Sequence, residues 1–163
     1  MRPEFFLRSR SPDETRDIAE IVAPFLGPGD VIALSGDLGA GKTCFVQGAA
    51  RGLGVKERVT SPSFVLMRTY HGSLPVLHLD VYRLNSLHEL EDIGFEELLD
   101  PGHVMFIEWG DAITPLLPEE HLEVVIKVAS DDERTITLLP FGSNWMRRVA
   151  AIAERMGEWE KSV

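Results

Sequence analysis

The sequence predicts an α/β domain of three layers, in which helices cover a mixed sheet with a parallel core and antiparallel additions. Continuous apolar runs, of the kind buried on both faces of a parallel sheet, occupy residues 31–34 and 104–107. A glycine-rich turn at residues 36–43 separates the first run from a helical pattern. Beyond them, residues 122–128 and 134–139 alternate as the two strands of an antiparallel hairpin do.

Length and charge limit what this domain can be. The 163 residues fit a single domain over residues 1–163. Sixteen Lys and Arg against 26 Asp and Glu give a net charge of −10, which argues against a protein that holds DNA, RNA or an anionic membrane with its whole surface. The single cysteine excludes an internal disulfide framework. We find no apolar run of membrane-spanning length and no signal peptide pattern, so we expect a cytoplasmic protein without a membrane partner.

The first predicted helix has a clear start. Ser11 can cap it, Pro12 suits its first position, and Glu14 completes a capping box. Apolar residues then recur at helical spacing, and Pro24 predicts that the helix ends or bends early. The later elements are a helix that ends at Gly54, strands over residues 64–70 and 76–81, a helical stretch opened by a capping box at residues 86–89, and a C-terminal helix whose apolar face carries Trp145, Val149, Ile152 and Met156.

The glycine-rich turn carries the strongest chemical signal in the chain. Residues 36–43 match the phosphate-loop pattern G-x-x-x-x-G-K-S/T, in which backbone N–H groups and a helix N-terminus face a polyphosphate. Lys42 can neutralise the β- and γ-phosphates, and the Thr43 hydroxyl can ligate Mg²⁺. The sequence therefore predicts a P-loop NTPase domain, the alternative being a glycine-rich turn with a solvated lysine. The predicted nucleotide-binding positions here are Gly36, Asp37, Leu38, Gly39, Ala40, Gly41, Lys42, Thr43 and Cys44.

Two acids end apolar runs, as the acids of a nucleotide site commonly do. Asp80 and Glu108 each follow a predicted strand, and the carboxyl ends of parallel strands border the ligand crevice. Asp80 would orient water or hold Mg²⁺, and Glu108 would hold Mg²⁺ directly or through water. The alternative is that both are solvated charges at strand ends. His78, on the same strand face as Asp80, is expected to be a satisfied core histidine.

Four further residues have two interpretations each. Thr60 and Ser61 belong to a hydroxyl-rich loop that is either an ordinary lead into a strand or a switch-like loop meeting the γ-phosphate or Mg²⁺. Trp109 either fills the core or places its ring beside the nucleotide. Cys44 lies near a helix N-terminus, which can lower a thiol pKa, but we interpret its thiol as a buried bystander.

Five motifs occur in series along the chain. They occupy residues 36–43, 60–64, 78–84, 93–97 and 108–109, and read GDLGAGKT, TSPSF, HLDVYRL, IGFEE and EW. In that order they resemble the TsaE family, bacterial ATPases that serve threonylcarbamoyladenosine formation in tRNA. The resemblance spans about residues 11–110, and the motifs after the phosphate loop are its most specific part.

The resemblance implies ATP and Mg²⁺ as cofactors, with Lys42 on the phosphates and Thr43 on the metal. It implies Glu108 in place of the usual Walker B aspartate, with Asp80 and the loop at residues 60–63 near the γ-phosphate. It also implies a TsaB–TsaD type partner complex, which transfers threonylcarbamoyl to the adenosine beside the anticodon. The acidic chain would then meet tRNA only indirectly, and its ATPase would be weak alone and stimulated by the partner.

Two positions depart from the family pattern, and three other functions compete with it. Ser63 stands where threonine is common, and Cys44 where a second threonine often follows the loop. A small-metabolite kinase usually carries an arginine-bearing lid, whereas residues 86–101 contain no Arg or Lys. A GTPase needs an Asn/Thr-Lys-x-Asp motif, which is missing. A nucleotide-gated binding module with negligible turnover is the remaining alternative, and the two acids favour hydrolysis over it.

Overall fold

The structure, a computed structural model, describes residues 4–37, 39–61, 67–81, 91–92, 94–99, 102–108 and 114–160. Within these ranges one mixed sheet has the strands β1 Phe5–Ser9, β2 Val31–Ser35, β3 Met67–His71, β4 Pro75–Asp80, β5 Val104–Glu108, β6 His121–Val128 and β7 Arg134–Phe141. The helices are α1 Pro12–Val22, α2 Lys42–Gly52, α3 Phe95–Leu98 and α4 Ser143–Ala153, with a 3₁₀ turn at Ala23–Phe25. None of the described helices is long and apolar enough to span a bilayer.

The sheet has a parallel centre and antiparallel margins, as predicted. Its strand order is β1-β7-β6-β2-β5-β4-β3. The pairs β6–β2, β2–β5 and β5–β4 are parallel, whereas β1–β7, β7–β6 and β4–β3 are antiparallel. Because the four central strands are parallel, the carboxyl ends of β2, β4, β5 and β6 all lie at one edge of the sheet. A ligand crevice is expected at that edge.

Two apolar clusters on opposite faces of the sheet make the three layers. Ile32 and Leu34 of β2 point into a large cluster that also contains buried residues of α1, α2 and α4. Val31 points to the other face, where it joins Phe95 of α3. The alternation follows from the period of two along a strand. The predicted α/β class with three layers is confirmed.

Helix α1 begins and ends where the sequence predicts, with one difference at its cap. Ser11 is the N-cap residue, and its hydroxyl accepts the Glu14 N–H at 3.0 Å. The Glu14 carboxylate accepts from the backbone N–H of Arg10 at 3.0 Å, so the reciprocal half of the capping box lies one residue earlier than expected. At the other end, Pro24 lies in the 3₁₀ turn that follows Val22.

The chain's first strand was not predicted. Phe5–Ser9 reads only as a short apolar run in the sequence, and it becomes an edge strand by pairing antiparallel with β7, with Leu7 opposite Ile136. The predicted strands from residue 122 to 139 are confirmed as β6 and β7. Residues 64–66 of the strand predicted over residues 64–70, and the capping box at residues 86–89, lie outside the described residues.

Candidate functional site

The phosphate-loop motif connects the carboxyl end of β2 to the first turn of α2. Gly36 has a φ of +146°, and a Cβ built on it would lie 2.3 Å from the carbonyl oxygen of Ile126 in β6, so that only glycine fits there. Gly41 is the N-cap of α2, in the left-handed conformation, and no described side chain caps the helix. The first N–H groups of α2 therefore face the loop, where an anion can accept them.

Lys42 folds back over this loop. Its Nζ donates to the carbonyl oxygens of Gly36 at 2.7 Å and of Asp37 at 3.0 Å, and the residue is only 4% exposed. The alternative of a solvated lysine is therefore wrong. The ammonium and the N-terminus of α2 bring positive charge to one place, as polyphosphate binding requires.

Glu108, at the end of β5, reaches the loop helix directly. The Thr43 hydroxyl lies 3.2 Å from Oε1 and 3.0 Å from Oε2 of Glu108, and the Glu108 residue is 3% exposed. This contact follows from the sheet, because Glu108 pairs in parallel register with Leu34 just before the loop. Two oxygen-bearing side chains predicted to meet Mg²⁺ thus lie in contact.

Asp80 and His78 approach Glu108 from the neighbouring strand. Asp80 is 6% exposed and pairs in register with Glu108 across the parallel β4–β5 ladder, which places both side chains on one face at adjacent strands, about 4.8 Å apart in backbone spacing. His78 is fully buried, and its Nε2 lies 2.5 Å from Oε2 of Glu108. The expectation of a core histidine is confirmed by this burial, but its Nδ1 has no hydrogen-bond partner among the described residues, so only one of its two ring nitrogens is satisfied.

A cavity of about 220 Å³, which no sequence motif predicts, lies beside the loop. Arg134, at the start of β7, joins the cavity wall to the loop, since its Nε donates to the carbonyl oxygen of Ala40 at 3.1 Å. No local motif signals this, because β6 and β7 reach the loop only through the parallel β2–β6 pairing. The cavity is lined by Ser11, Pro12, Thr15, Gly39, Ala40, Gly41, Cys44, Asp131, Asp132 and Arg134.

Comparison with known proteins decides the family. The family described as "Threonylcarbamoyl adenosine biosynthesis protein TsaE" matches residues 9–136, which contain the loop, both acids and Arg134. The chain belongs to the TsaE family. The resemblance seen in the motifs is thereby confirmed.

Relatives and a solved structure agree with this membership. The chain is 46% identical to the tRNA threonylcarbamoyladenosine biosynthesis protein TsaE of Bacillus subtilis over 139 residues, covering 85% of this chain and 87% of the relative. It is 45% identical to the protein of the same name from Treponema pallidum over 130 residues, covering 80% and 96%. The crystal structure of Bacillus subtilis YdiB superimposes with a TM-score of 0.82 at 38% identity, covering 95% of this chain and 97% of that one.

The remaining predicted site residues of this TsaE-family chain differ in position and exposure. Thr60 lies near α2, because Gln47 donates to the Val59 carbonyl at 2.9 Å, and the Tyr70 hydroxyl lies 3.3 Å from both the N and O atoms of Thr60. Ser61 is exposed, and its nearness to a γ-phosphate, like that of Thr60, stays a prediction. Cys44 is half-buried on the cavity wall rather than fully buried. Leu38 and Trp109 lie outside the described residues.

The TsaE-family site offers oxygen ligands that suit Mg²⁺ but do not enclose it. The described residues contain no cluster of three or more His, Cys, Asp or Glu side chains that could hold a metal by itself. Mg²⁺ usually takes one or two carboxylates, keeps several waters and shares substrate phosphates. Thr43, Glu108 and Asp80, beside a phosphate-binding loop, fit a metal held jointly with a nucleotide.

Proposed function

We propose that this protein binds ATP with Mg²⁺ at the phosphate loop, hydrolyses it, and thereby serves threonylcarbamoyl modification of tRNA with a TsaB–TsaD type complex. Membership of the TsaE family supports the pathway. One observation carries the chemistry: the contact of Thr43 with Glu108 and the Lys42 ammonium held by the loop carbonyls both belong to the N-terminus of α2 and the loop before it. Phosphate-binding and metal-binding groups thus share one edge of the sheet.

The phosphates would be bound by the loop's backbone and by Lys42. The N–H groups at the start of α2 would donate to phosphate oxygens, and the Lys42 ammonium, already held by two carbonyl oxygens, would neutralise their charge. The adjacent cavity would take the nucleoside end, since it opens directly from Gly39 and Gly41. Its lining includes Ser11 and the Asp131 and Asp132 carboxylates of the turn between β6 and β7, which would offer partners for ribose hydroxyls and base edges.

Thr43 and Glu108 would hold Mg²⁺, with Glu108 acting directly or through water. Bound there, Mg²⁺ would supply charge neutralisation at the phosphate oxygens during hydrolysis. Asp80, in register with Glu108 and 6% exposed, would accept a hydrogen bond from the attacking water and fix its direction, or would assist in holding the metal. Both acids are nearly buried, so their positions are held by the sheet rather than by solvent-exposed loops.

The partner complex would hold the tRNA. At a net charge of −10, this chain repels the phosphate backbone at long range. We therefore expect it to work in the cytoplasm as the nucleotide-dependent subunit, whose turnover resets the partner rather than forming the new bond. An ATPase with that duty should be slow alone and faster in the complex.

Steady-state phosphate release tests this proposal. The wild-type chain should hydrolyse ATP slowly, and adding the TsaB–TsaD type complex should raise the rate several-fold or more. Glu108→Gln should lose most of the stimulated rate because the charge beside Thr43 is removed. Glu123→Gln is a matched control, since that glutamate also pairs with a histidine on a sheet strand, and its rate should stay near wild type. Full activity without partner, or in Glu108→Gln, would contradict the proposal.

A further inference from the structure

His78 occupies a place that packing alone does not explain. It lies in the middle of β4, on the sheet face that α2 covers, and it is fully buried. Its Nε2 lies 2.5 Å from Oε2 of Glu108, while its Nδ1 has no partner among the described residues. A buried polar atom without a hydrogen bond costs stability, whereas an apolar side chain of similar volume would fill this space without that cost.

Within the part of the chain that the structure describes, Thr43 and His78 both contact the Glu108 carboxylate. Thr43 approaches both carboxylate oxygens from α2, and His78 approaches Oε2 from β4. A glutamate side chain with one partner can still rotate about its last bonds. With partners on two sides it keeps one orientation, the one in which it meets Thr43. Outer partners of metal-binding carboxylates act in this way, and their loss commonly lowers metal affinity.

We propose that His78 is a positioning residue, whose Nε2–H donates to Glu108 and holds its carboxylate in the orientation that Mg²⁺ binding requires. The inference rests on the proposed function, because it assigns His78 a duty toward the same metal. It requires no contact between His78 and either the nucleotide or the metal. Loss of His78 should therefore weaken the effect of Mg²⁺ on nucleotide binding, and leave metal-free nucleotide binding unchanged.

His121 provides a matched control within the same sheet. It is 4% exposed, and its Nε2 lies 3.0 Å from Oε2 of Glu123, so it is also a buried histidine paired with a glutamate. It begins β6, which runs parallel to β2, and so it lies at the sheet edge opposite the phosphate loop. Replacing it should cost stability in a comparable way without touching the metal site.

The experiment measures ATP affinity by calorimetry, in EDTA and across a series of Mg²⁺ concentrations, for wild type, His78→Met, His78→Gln, His78→Asn and His121→Met. The glutamine amide can reach the Nε2 position, and the shorter asparagine amide cannot. For His78→Met and His78→Asn, we expect the Mg²⁺ concentration that gives half of the Mg²⁺-dependent increase in ATP affinity to rise about tenfold or more. His78→Gln and His121→Met should need about as much as wild type, and all variants should bind ATP equally in EDTA.

The possible outcomes distinguish the inference about His78 from the proposed function. A normal Mg²⁺ requirement in His78→Met and His78→Asn, with a responsive wild type, would overturn the inference and leave the proposed function intact. An equal rise in His121→Met would show a general stability effect and would also overturn it. If circular dichroism shows that His78→Met does not fold, the comparison of the Mg²⁺ requirements of His78→Gln and His78→Asn tests the inference by itself. A wild-type chain that binds no ATP would remove the proposed function, and the inference with it.

Discussion

Lys42→Met is the variant that most directly weakens phosphate binding while keeping side-chain length. In the wild-type chain the ammonium is positioned before any ligand arrives, because it donates to the Gly36 and Asp37 carbonyls at 2.7 and 3.0 Å. A nucleotide therefore meets a cation that needs little rearrangement. Methionine is also flexible and of similar length, so the variant removes charge and donors more than volume.

The expected magnitude follows from the single charged contact that is lost. A hydrogen bond to a charged group contributes about 1.5–3 kcal/mol. At about 1.4 kcal/mol for each factor of ten, the dissociation constant for ATP should rise roughly ten- to hundredfold. The fold should survive, because Lys42 belongs to neither of the two apolar clusters that join the helices to the sheet.

Calorimetric titration with ATP and Mg²⁺ measures this change. Lys56→Met is the matched control, since Lys56 is exposed beyond the end of α2, and its dissociation constant should equal that of wild type. Circular dichroism should show the same helix and strand content for all three proteins. Unchanged ATP affinity in a folded Lys42→Met protein would refute the assignment of the phosphate loop.

Four further variants or measurements test other parts of the account. A Cβ on Gly48 would lie 2.1 Å from the backbone oxygen of Arg16, so Gly48→Ala should push α1 away from α2. The free energy of unfolding in urea should fall by about 1–3 kcal/mol. In the control Gly157→Ala, whose Cβ meets no described atom within 4 Å, it should change by less than about 0.5 kcal/mol. Asp80→Asn should keep most ATP affinity in calorimetry and lose most partner-stimulated phosphate release, and normal turnover would exclude its role with water or metal. Arg134→Met removes an intramolecular hydrogen bond to the loop that exists before any nucleotide binds, so it should lower the free energy of unfolding in urea by about 1 kcal/mol. In a mobility-shift titration at physiological salt the lone chain should not retard tRNA, and a tight shift would contradict indirect tRNA contact.

Local sequence patterns predict those parts of the fold and site that are contiguous in the chain. The phosphate loop is contiguous, and the apolar run before it and the helical pattern after it fix β2 and α2. The hairpin of β6 and β7 is marked by its own alternation and turn. The acids Asp80 and Glu108 were found because each ends an apolar run, and parallel strands align such ends at one edge.

Local sequence patterns do not predict contacts between segments that are distant in the chain. Strand β1 forms by pairing with β7, where Phe5 lies opposite Leu138 near the other end of the chain. Its five residues are too few for an alternating pattern of apolar and polar residues to predict a strand. The sequence does not predict the cavity or the contact of Arg134 with the loop, because the pairing of β6 with β2 joins segments that are far apart in the chain. His78 lies in a buried strand like any core residue, and only the structure shows that its ring faces Glu108.

The most direct test of the central claim is a crystal structure with a non-hydrolysable ATP analogue and Mg²⁺. We expect the phosphates to lie against the first N–H groups of α2 and the Lys42 ammonium, with the metal beside Thr43 and Glu108. We expect the nucleoside to lie in the cavity bordered by Arg134 and the start of α1. A nucleotide bound elsewhere, or a metal bound without Glu108 directly or through water, would contradict the central claim.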